Sequence, residues 1–135
     1  MSITAFSPAW ADALLVAVNT DDDYRDVAGR WSNPVALVVE PGANLAAGAA
    51  VQVDLASGSC LAAESLSPAA VSAPYVLSAD LASWKAILTG DTDPIAALAL
   101  GRLKLTRGST AVLMLNARAA KALLACARRI VTLWP

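Results

Sequence analysis

Residues 81–108 read LASWKAILTGDTDPIAALALGRLKLTRG, and the punctuation of this stretch decides the fold. Asp80 is a capping residue, and Leu81, Trp84, Ile87 and Leu88 recur at helical spacing to give one apolar face. Thr89-Gly90 stops that helix. Asp93-Pro94 starts another, with proline at the one helical position where a missing N–H does no harm. Residues 102–106 (Arg-Leu-Lys-Leu-Thr) then alternate strictly between Gly101 and Gly108, which predicts a strand with one buried face. Two helices feeding one strand, with no ionisable group on their shared apolar side, suit a container better than a reaction centre.

Working towards the N-terminus, residues 74–78 form a short strand, and residues 67–73 a loop or a short turn of helix. Ala49, Val51, Val53 and Leu55 alternate with smaller or polar residues, and residues 56–59 make a hairpin turn into a strand over 60–66. Residues 34–40 are apolar on both faces, as a central strand requires. Ser7-Pro8 opens a helix through Trp10, Leu14 and Val18 to about Asn19. Thr20 is placed to cap a second helix, with Asp21, Asp22 and Asp23 in its positively polarised first turn and Tyr24, Val27, Ala28 and Trp31 as its stripe. Three consecutive aspartates diverge from such a helix start, so capping explains them better than a metal loop does. Towards the C-terminus, Ser109 or Thr110 caps a helical region reaching about Val131, either continuous or broken at Asn116. The result is a single domain over 1–135. It is an α+β fold, a five-stranded, mainly antiparallel (mixed) sheet with helices on one face and Gln52, Asp54, Arg102 and Lys104 on a watered face.

Composition narrows the function. Of 135 residues 57% are hydrophobic and 16% charged, which excludes disorder and leaves either an alanine-rich core or apolar surface that lines something. There is no histidine, so Ser-His and Cys-His catalysis and the usual zinc and non-haem iron sites are excluded; neither a metal nor a cofactor is expected. Cys60 and Cys126 have no CxxC partner and read as buried free thiols. Asp54, Asp80, Tyr75 and Cys60 are better explained by exposure, capping and packing than by acid–base or nucleophilic work. No signal-peptide pattern or bilayer-length apolar run is present, so a cytoplasmic location is expected.

The charge is lopsided. All 11 acidic residues precede Gly101, whereas seven of the 10 basic ones follow it. Those cations either pair with the acidic two thirds and solvate outer faces, which is the commoner use, or meet anionic headgroups or a partner's acidic surface. Nucleic acid is a poor match, because the domain is not basic overall and aromatics do not interleave with the charges.

Thr92-Asp93-Pro94, then residues 101–106 (Gly-Arg-Leu-Lys-Leu-Thr), then the apolar residues 111–115 after Gly108 carry a family likeness. Tyr75-Val76-Leu77 leading to Trp84-Lys85, and Val53-Asp54-Leu55 followed by Gly58 and Cys60, support it. On these residues the chain resembles the sterol carrier protein 2 family. Trp10, Asn19-Thr20, Tyr24 and Trp31 match its prokaryotic single-domain branch. The resemblance implies a five-stranded sheet under helices, with an apolar cavity between them that takes a sterol, a fatty acyl chain or another lipid without chemistry. The expected lining is Val53, Leu55, Trp84, Ile87, Leu88, Ile95, Leu98, Leu103 and Leu105, with Leu113, Leu115 and Leu123 closing it as a C-terminal lid. The expected partners are a hydrophobic small molecule and, through the basic C-terminal third, an anionic membrane surface. A competing expectation is an interaction or homodimerisation module of the same fold with a filled core. An accessory role in lipid or quinone metabolism is the third.

Overall fold

The computed structural model describes residues 2–29 and 31–135. In chain order they form β1 (Ile3–Thr4), α1 (Pro8–Asn19), α2 (Asp22–Ala28), β2 (Pro34–Val39), β3 (Ala49–Ala56), β4 (Ser59–Leu66), a 3-10 turn (Pro68–Ala70) and β5 (Tyr75–Ala79). There follow α3 (Leu81–Leu88), α4 (Pro94–Ala99), β6 (Lys104–Arg107), α5 (Thr110–Leu115), α6 (Ala117–Arg128) and β7 (Thr132–Leu133).

The main sheet has the order β4-β3-β2-β5-β6. Its one parallel pair is β2 with β5, with Leu37 opposite Leu77; the other neighbours are antiparallel, with Val35 opposite Val53 and Leu37 opposite Val51. The mixed five-stranded sheet and its α+β class are those expected from the sequence. β2 is apolar on both faces because both are covered. Val35, Leu37 and Val39 face the helices, whereas Ala36 and Val38 join Ala50, Ala73 and Val76 in a small cluster behind the sheet.

That rear cluster narrows the expected watered face: Asp54, Arg102 and Lys104 are exposed, but Gln52 is half-buried. Gln52 does not simply point into solvent: its Oε1 accepts from the N–H groups of Ser72 and Ala73, both at 3.0 Å, and holds the β4–β5 connection against the sheet. Arg107 adds a bond from its guanidinium to the Ala73 carbonyl at 3.0 Å. At Gly108 (φ 109°) a Cβ would come within 2.6 Å of the Tyr75 ring, so only glycine lets the chain pass there.

Four helix starts lie where the sequence places them. Ser7, Asp80, Asp93 and Ser109 each accept a hydrogen bond from the first turn of their helices. The cap of α2 differs. The Thr20 hydroxyl is spent backwards on the Val16 carbonyl at 2.8 Å, and Asp21 takes over, accepting from Tyr24 N–H at 2.8 Å. That bond holds the Asp21 carboxyl below the usual carboxylate range, helped by the Cys126 thiol and Arg129. The strand expected from Arg102 begins two residues later, because the N–H groups of Arg102 and Leu103 both still bond the Ala97 carbonyl and wrap the end of α4. The C-terminal helical region is two helices. The chain leaves helical geometry at Asn116 (φ −110°, ψ 22°), whose amide bonds back to the Val112 carbonyl at 2.9 Å. The short parallel pair β1–β7 was not anticipated; it joins the two ends of the chain.

The helix layer is nailed to the sheet by a few long-range contacts. Phe6 stacks on Trp10 at 4.7 Å and meets Trp84 at 5.8 Å. Trp84 is fully buried, and its indole N–H donates to the Val38 carbonyl at 2.8 Å. Asn19 ends α1 with a two-way clamp on β4: its Nδ2 donates to the Cys60 carbonyl at 2.9 Å and its Oδ1 accepts from Cys60 N–H at 2.8 Å. Tyr24 is the opposite case, since its hydroxyl is buried with no partner among the described residues.

These two residues predict opposite outcomes in urea denaturation. Asn19→Ala strips the backbone N–H and carbonyl of buried Cys60 of their partner and is expected to cost about 2–3 kcal/mol. Tyr24→Phe removes a desolvated, unbonded hydroxyl while keeping the ring, and is expected to leave stability unchanged or raise it by about 1 kcal/mol.

Candidate functional site

The most apolar hollow backed by further apolar space lies at the β6 end of the sheet, between α4, β6 and α5. Asp93 sets its first wall: one carboxylate oxygen accepts from the N–H groups of Ile95 and Ala96, both at 3.1 Å, so α4 starts in a fixed direction and turns Ile95 and Leu98 inward. Ser109 sets the second wall by capping α5 through Val112 N–H at 3.3 Å, which buries Leu113 and lays Met114 along the rim. The groove between them has a volume of 430 Å³ and is lined by Ile95, Leu98, Ala99, Gly101, Leu103, Lys104, Leu105, Thr110, Leu113 and Met114.

Behind it, towards α6, is a narrow apolar gap of 10 Å³, walled further by Leu77, Pro94, Ala117, Ala120, Lys121 and Leu124. A space of that size holds about one water at most, and without polar partners it stays dry. Ile95, Leu98, Leu103, Leu113 and Met114 line both spaces and so lie between them.

Of the residues expected from the sequence to line a pocket, the structure brings Ile95, Leu98, Leu103, Leu105 and Leu113 together around the groove. Val53, Leu55, Trp84, Ile87, Leu88 and Leu123 sit in the core between sheet and helices, which side chains fill, and they do not line the groove. Leu115 points away from the protein and is 86% exposed. Sequence reasoning missed Met114 and Leu124. The signal for them was available: once α5 ends at Asn116, the phase of the apolar residues restarts, and Leu124 shares a stripe with Ala117 and Ala120.

The electrostatics of the groove are sparse. Lys104 on its rim pairs with Glu40 at 3.3 Å, and Lys121 beside the gap pairs with Asp93 at 3.0 Å. The Lys121 ammonium, with the α4 N–H groups, holds the Asp93 carboxyl below its ordinary range. A second hollow of 370 Å³ lies near the start of α3, but Glu40, Asp80 and Lys85 wet its walls. No nucleophile with an activating base appears among the described residues. Burial pushes the Cys60 thiol up to about 11 and the Cys126 thiol up to about 12, the latter reinforced by its bond to Asp21 at 3.3 Å. Asp80 is committed to capping α3 through Ser83 N–H, which lowers its pKa, and Asp54 faces water. The described residues contain no cluster of three metal-ligating side chains and no helix long and apolar enough to cross a membrane.

Comparison with known proteins agrees with this architecture. The family model for the SCP-2 sterol transfer family matches residues 12–121. A crystal structure of sterol carrier protein 2 superposes with a TM-score of 0.89 at 37% identity, covering 93% of this chain and 98% of that one. A solution structure from Thermus thermophilus, of a conserved hypothetical protein for which a sterol carrier identity was suggested, gives 0.87 at 35% identity, covering 98% and 94%. The apo sterol carrier protein 2 of Yarrowia lipolytica is similar in fold alone, with a TM-score of 0.59 at 14% identity over 87% of this chain and 88% of that one. No curated protein matched the chain in sequence. With a family match over most of its length and two closely superposing relatives above 30% identity, the chain belongs to the SCP-2 sterol transfer family.

Proposed function

We propose that this protein binds, and passes on, a single lipid or similarly apolar molecule without chemically changing it, and that the groove between α4, β6 and α5 receives the apolar body of that ligand. The observation that carries this reading is the five-residue partition. Rotation of Leu98, Leu113 and Met114 would join groove and gap without disturbing any strand of the sheet. A volume of 430 Å³ is already within the roughly 300–1,000 Å³ typical of small-molecule sites. Covering about 200 Å² of ligand apolar surface would favour binding by about 5 kcal/mol before the cost of ordering it.

The roof is built to move. α5 has six residues, fewer than an isolated helix needs to persist, and it lies between Gly108 and the break at Asn116. Leu113 alone of its residues is buried, so lifting the helix exposes little core. The filled space between sheet and the remaining helices favours this groove over a central cavity as the ligand's place. Family membership and the absence of an activated nucleophile among the described residues both support carriage rather than catalysis.

Two measurements test the proposal. Leu98→Trp fills a half-buried groove position, and is expected to lower the affinity for a fluorescent fatty acid about tenfold while the thermal midpoint moves by only a few degrees. No saturable uptake by the unsubstituted protein, together with no co-purifying lipid in native mass spectrometry, would sink the carrier reading. Independently, neither Cys60 nor Cys126 is expected to react with an aromatic disulfide reagent in the native state at about pH 8, both becoming titratable in urea. Fast reaction of either thiol in the folded protein would reopen the question of covalent chemistry.

A further inference from the structure

The hollow near the start of α3 has no part in the carriage of a lipid by the groove. It lies where the one parallel pair of the main sheet ends. β2 and β5 run side by side to Val39 and Ala79, and the Glu40 N–H, donating to the Ala79 carbonyl at 2.9 Å, carries the pairing one residue further. Beyond that point the chain turns opposite ways: β2 leads to β3 on one side, and β5 leads through α3 and α4 to β6 on the other. Connections that diverge after adjacent parallel strands open a crevice at the carboxyl ends, the place where open α/β sheets bind ligands. Here the crevice has a volume of 370 Å³. One wall is a tight turn in which Gly42 and Leu45 exchange backbone hydrogen bonds at 3.1 and 3.2 Å. The others are Trp134 and the start of α3, with Leu81, Ala82 and Lys85.

The register that aligns Val39 with Ala79 sets Glu40 beside Asp80, two carboxylates on backbones about 4.8 Å apart. Glu40 gives Oε2 to Lys104 at 3.3 Å and keeps Oε1 free of hydrogen bonds among the described residues. Asp80 caps α3 through Ser83 N–H at 2.7 Å and stays exposed. Lys85, about 7.5 Å along the helix axis from that cap, has no carboxylate partner among the described residues. Trp134 is half-buried, whereas Trp10, Trp31 and Trp84 are buried, so its ring is the indole open to a ligand.

We propose that this crevice binds a small zwitterion, a primary amine that carries a phosphate group two carbons away. The ammonium sits at Glu40 and Asp80 against the Trp134 ring, since carboxylates and an indole face both favour a cation. The phosphate meets Lys85, and Leu45 and Leu81 cover the linking carbons. Charge balance selects the zwitterion over either half. A lone cation would gain from the carboxylates but face Lys85, and a lone anion would meet Glu40 and Asp80 at short range. The crevice does not depend on the carrier reading, because Leu98, Leu113 and Met114 of the groove are not among its walls.

The test is a proton–nitrogen NMR titration with O-phosphoethanolamine, with ethanolamine and inorganic phosphate as single-charge controls. Saturable shifts are expected at the Trp134 indole N–H and at the amides of residues 40–45 and 80–85, while the three buried indoles stay still. For so small a ligand the Kd is expected to be on the order of 1 mM. Each control is expected to bind at least about tenfold more weakly. Lys85→Ala and Glu40→Gln are each expected to weaken binding about fivefold. Lys85 lies outside the groove, so Lys85→Ala should keep the fatty-acid affinity of the unsubstituted protein. Dihexanoyl phosphatidylethanolamine below its micellar concentration separates two sources of the same chemistry. Matching shifts assign the crevice to a lipid headgroup, and binding of O-phosphoethanolamine alone assigns it to a free amine phosphate. Three results would overturn the site: no saturable shift at Trp134, a control that binds as tightly as the zwitterion, or full affinity in both variants. Failure of the fatty-acid titration while these shifts persist strikes instead at the carrier reading.

Discussion

Strand β2 has a hydrogen-bonded neighbour on each edge and apolar side chains on each face, so the protein must bring cover to both of its sides. One side takes the helices, with Trp84 reaching down to the Val38 carbonyl. The other takes the β4–β5 connection, which bends back under the sheet and is held by Gln52 and Arg107. The parallel alignment of β2 with β5 requires a long crossover between them, and the β3–β4 hairpin plus this connection supply it. The cover on the far side is therefore part of the same solution that makes the pair parallel.

Much of this was legible in the chain because it is local. Serine, aspartate and proline at helix starts act within one turn, so Ser7, Asp80, Asp93 and Ser109 could be read without knowing the fold. Central β2 announced itself by being apolar at every position. The errors lie where a distant partner decides. Thr20 and Asp21 are both good caps, and the choice between them follows from Asp21 also meeting Arg129 and Cys126 near the end of α6. Arg102 and Leu103 alternate like a strand, but the Ala97 carbonyl keeps them wrapped on α4. Gln52 looks like a solvated residue until the segment it clamps is in place.

The site was only half legible, for a different reason. Leucine in a groove and leucine in a core are the same residue at the same spacing, and the distinction is made by what lies opposite. Trp84, Leu123 and Val53 belong to the filled interior, while Leu98, Leu105 and Leu113 face a space that nothing fills. Leu115 marks the limit of pattern reading. A break at Asn116 resets the helical phase, and a side chain expected to roof a pocket becomes the most exposed large apolar group described. The same holds for charge. Counting showed a cationic third, but only the structure shows that Lys104, Lys121 and Arg129 find carboxylates while Arg107 and Arg128 are spent on the backbone carbonyls of Ala73 and Ile87.

The pairing of β1 with β7 has a consequence for how the protein is made. Trp10, stacked on Phe6, donates its indole N–H to the hydroxyl of Thr132 at 3.1 Å, across 122 residues of chain. Helix α1 therefore does not gain this bond until Thr132 has been made and folded back against it. Contacts of such sequence separation are slow to close, because chain entropy must be lost before they return anything. Until α6 and β7 are in place, the faces of α1 that carry Trp10, Leu14 and Val18 lack part of their cover. Loss of Thr132 and its neighbours in β7 would thus carry its defect to the helix of Trp10, 122 residues earlier in the sequence.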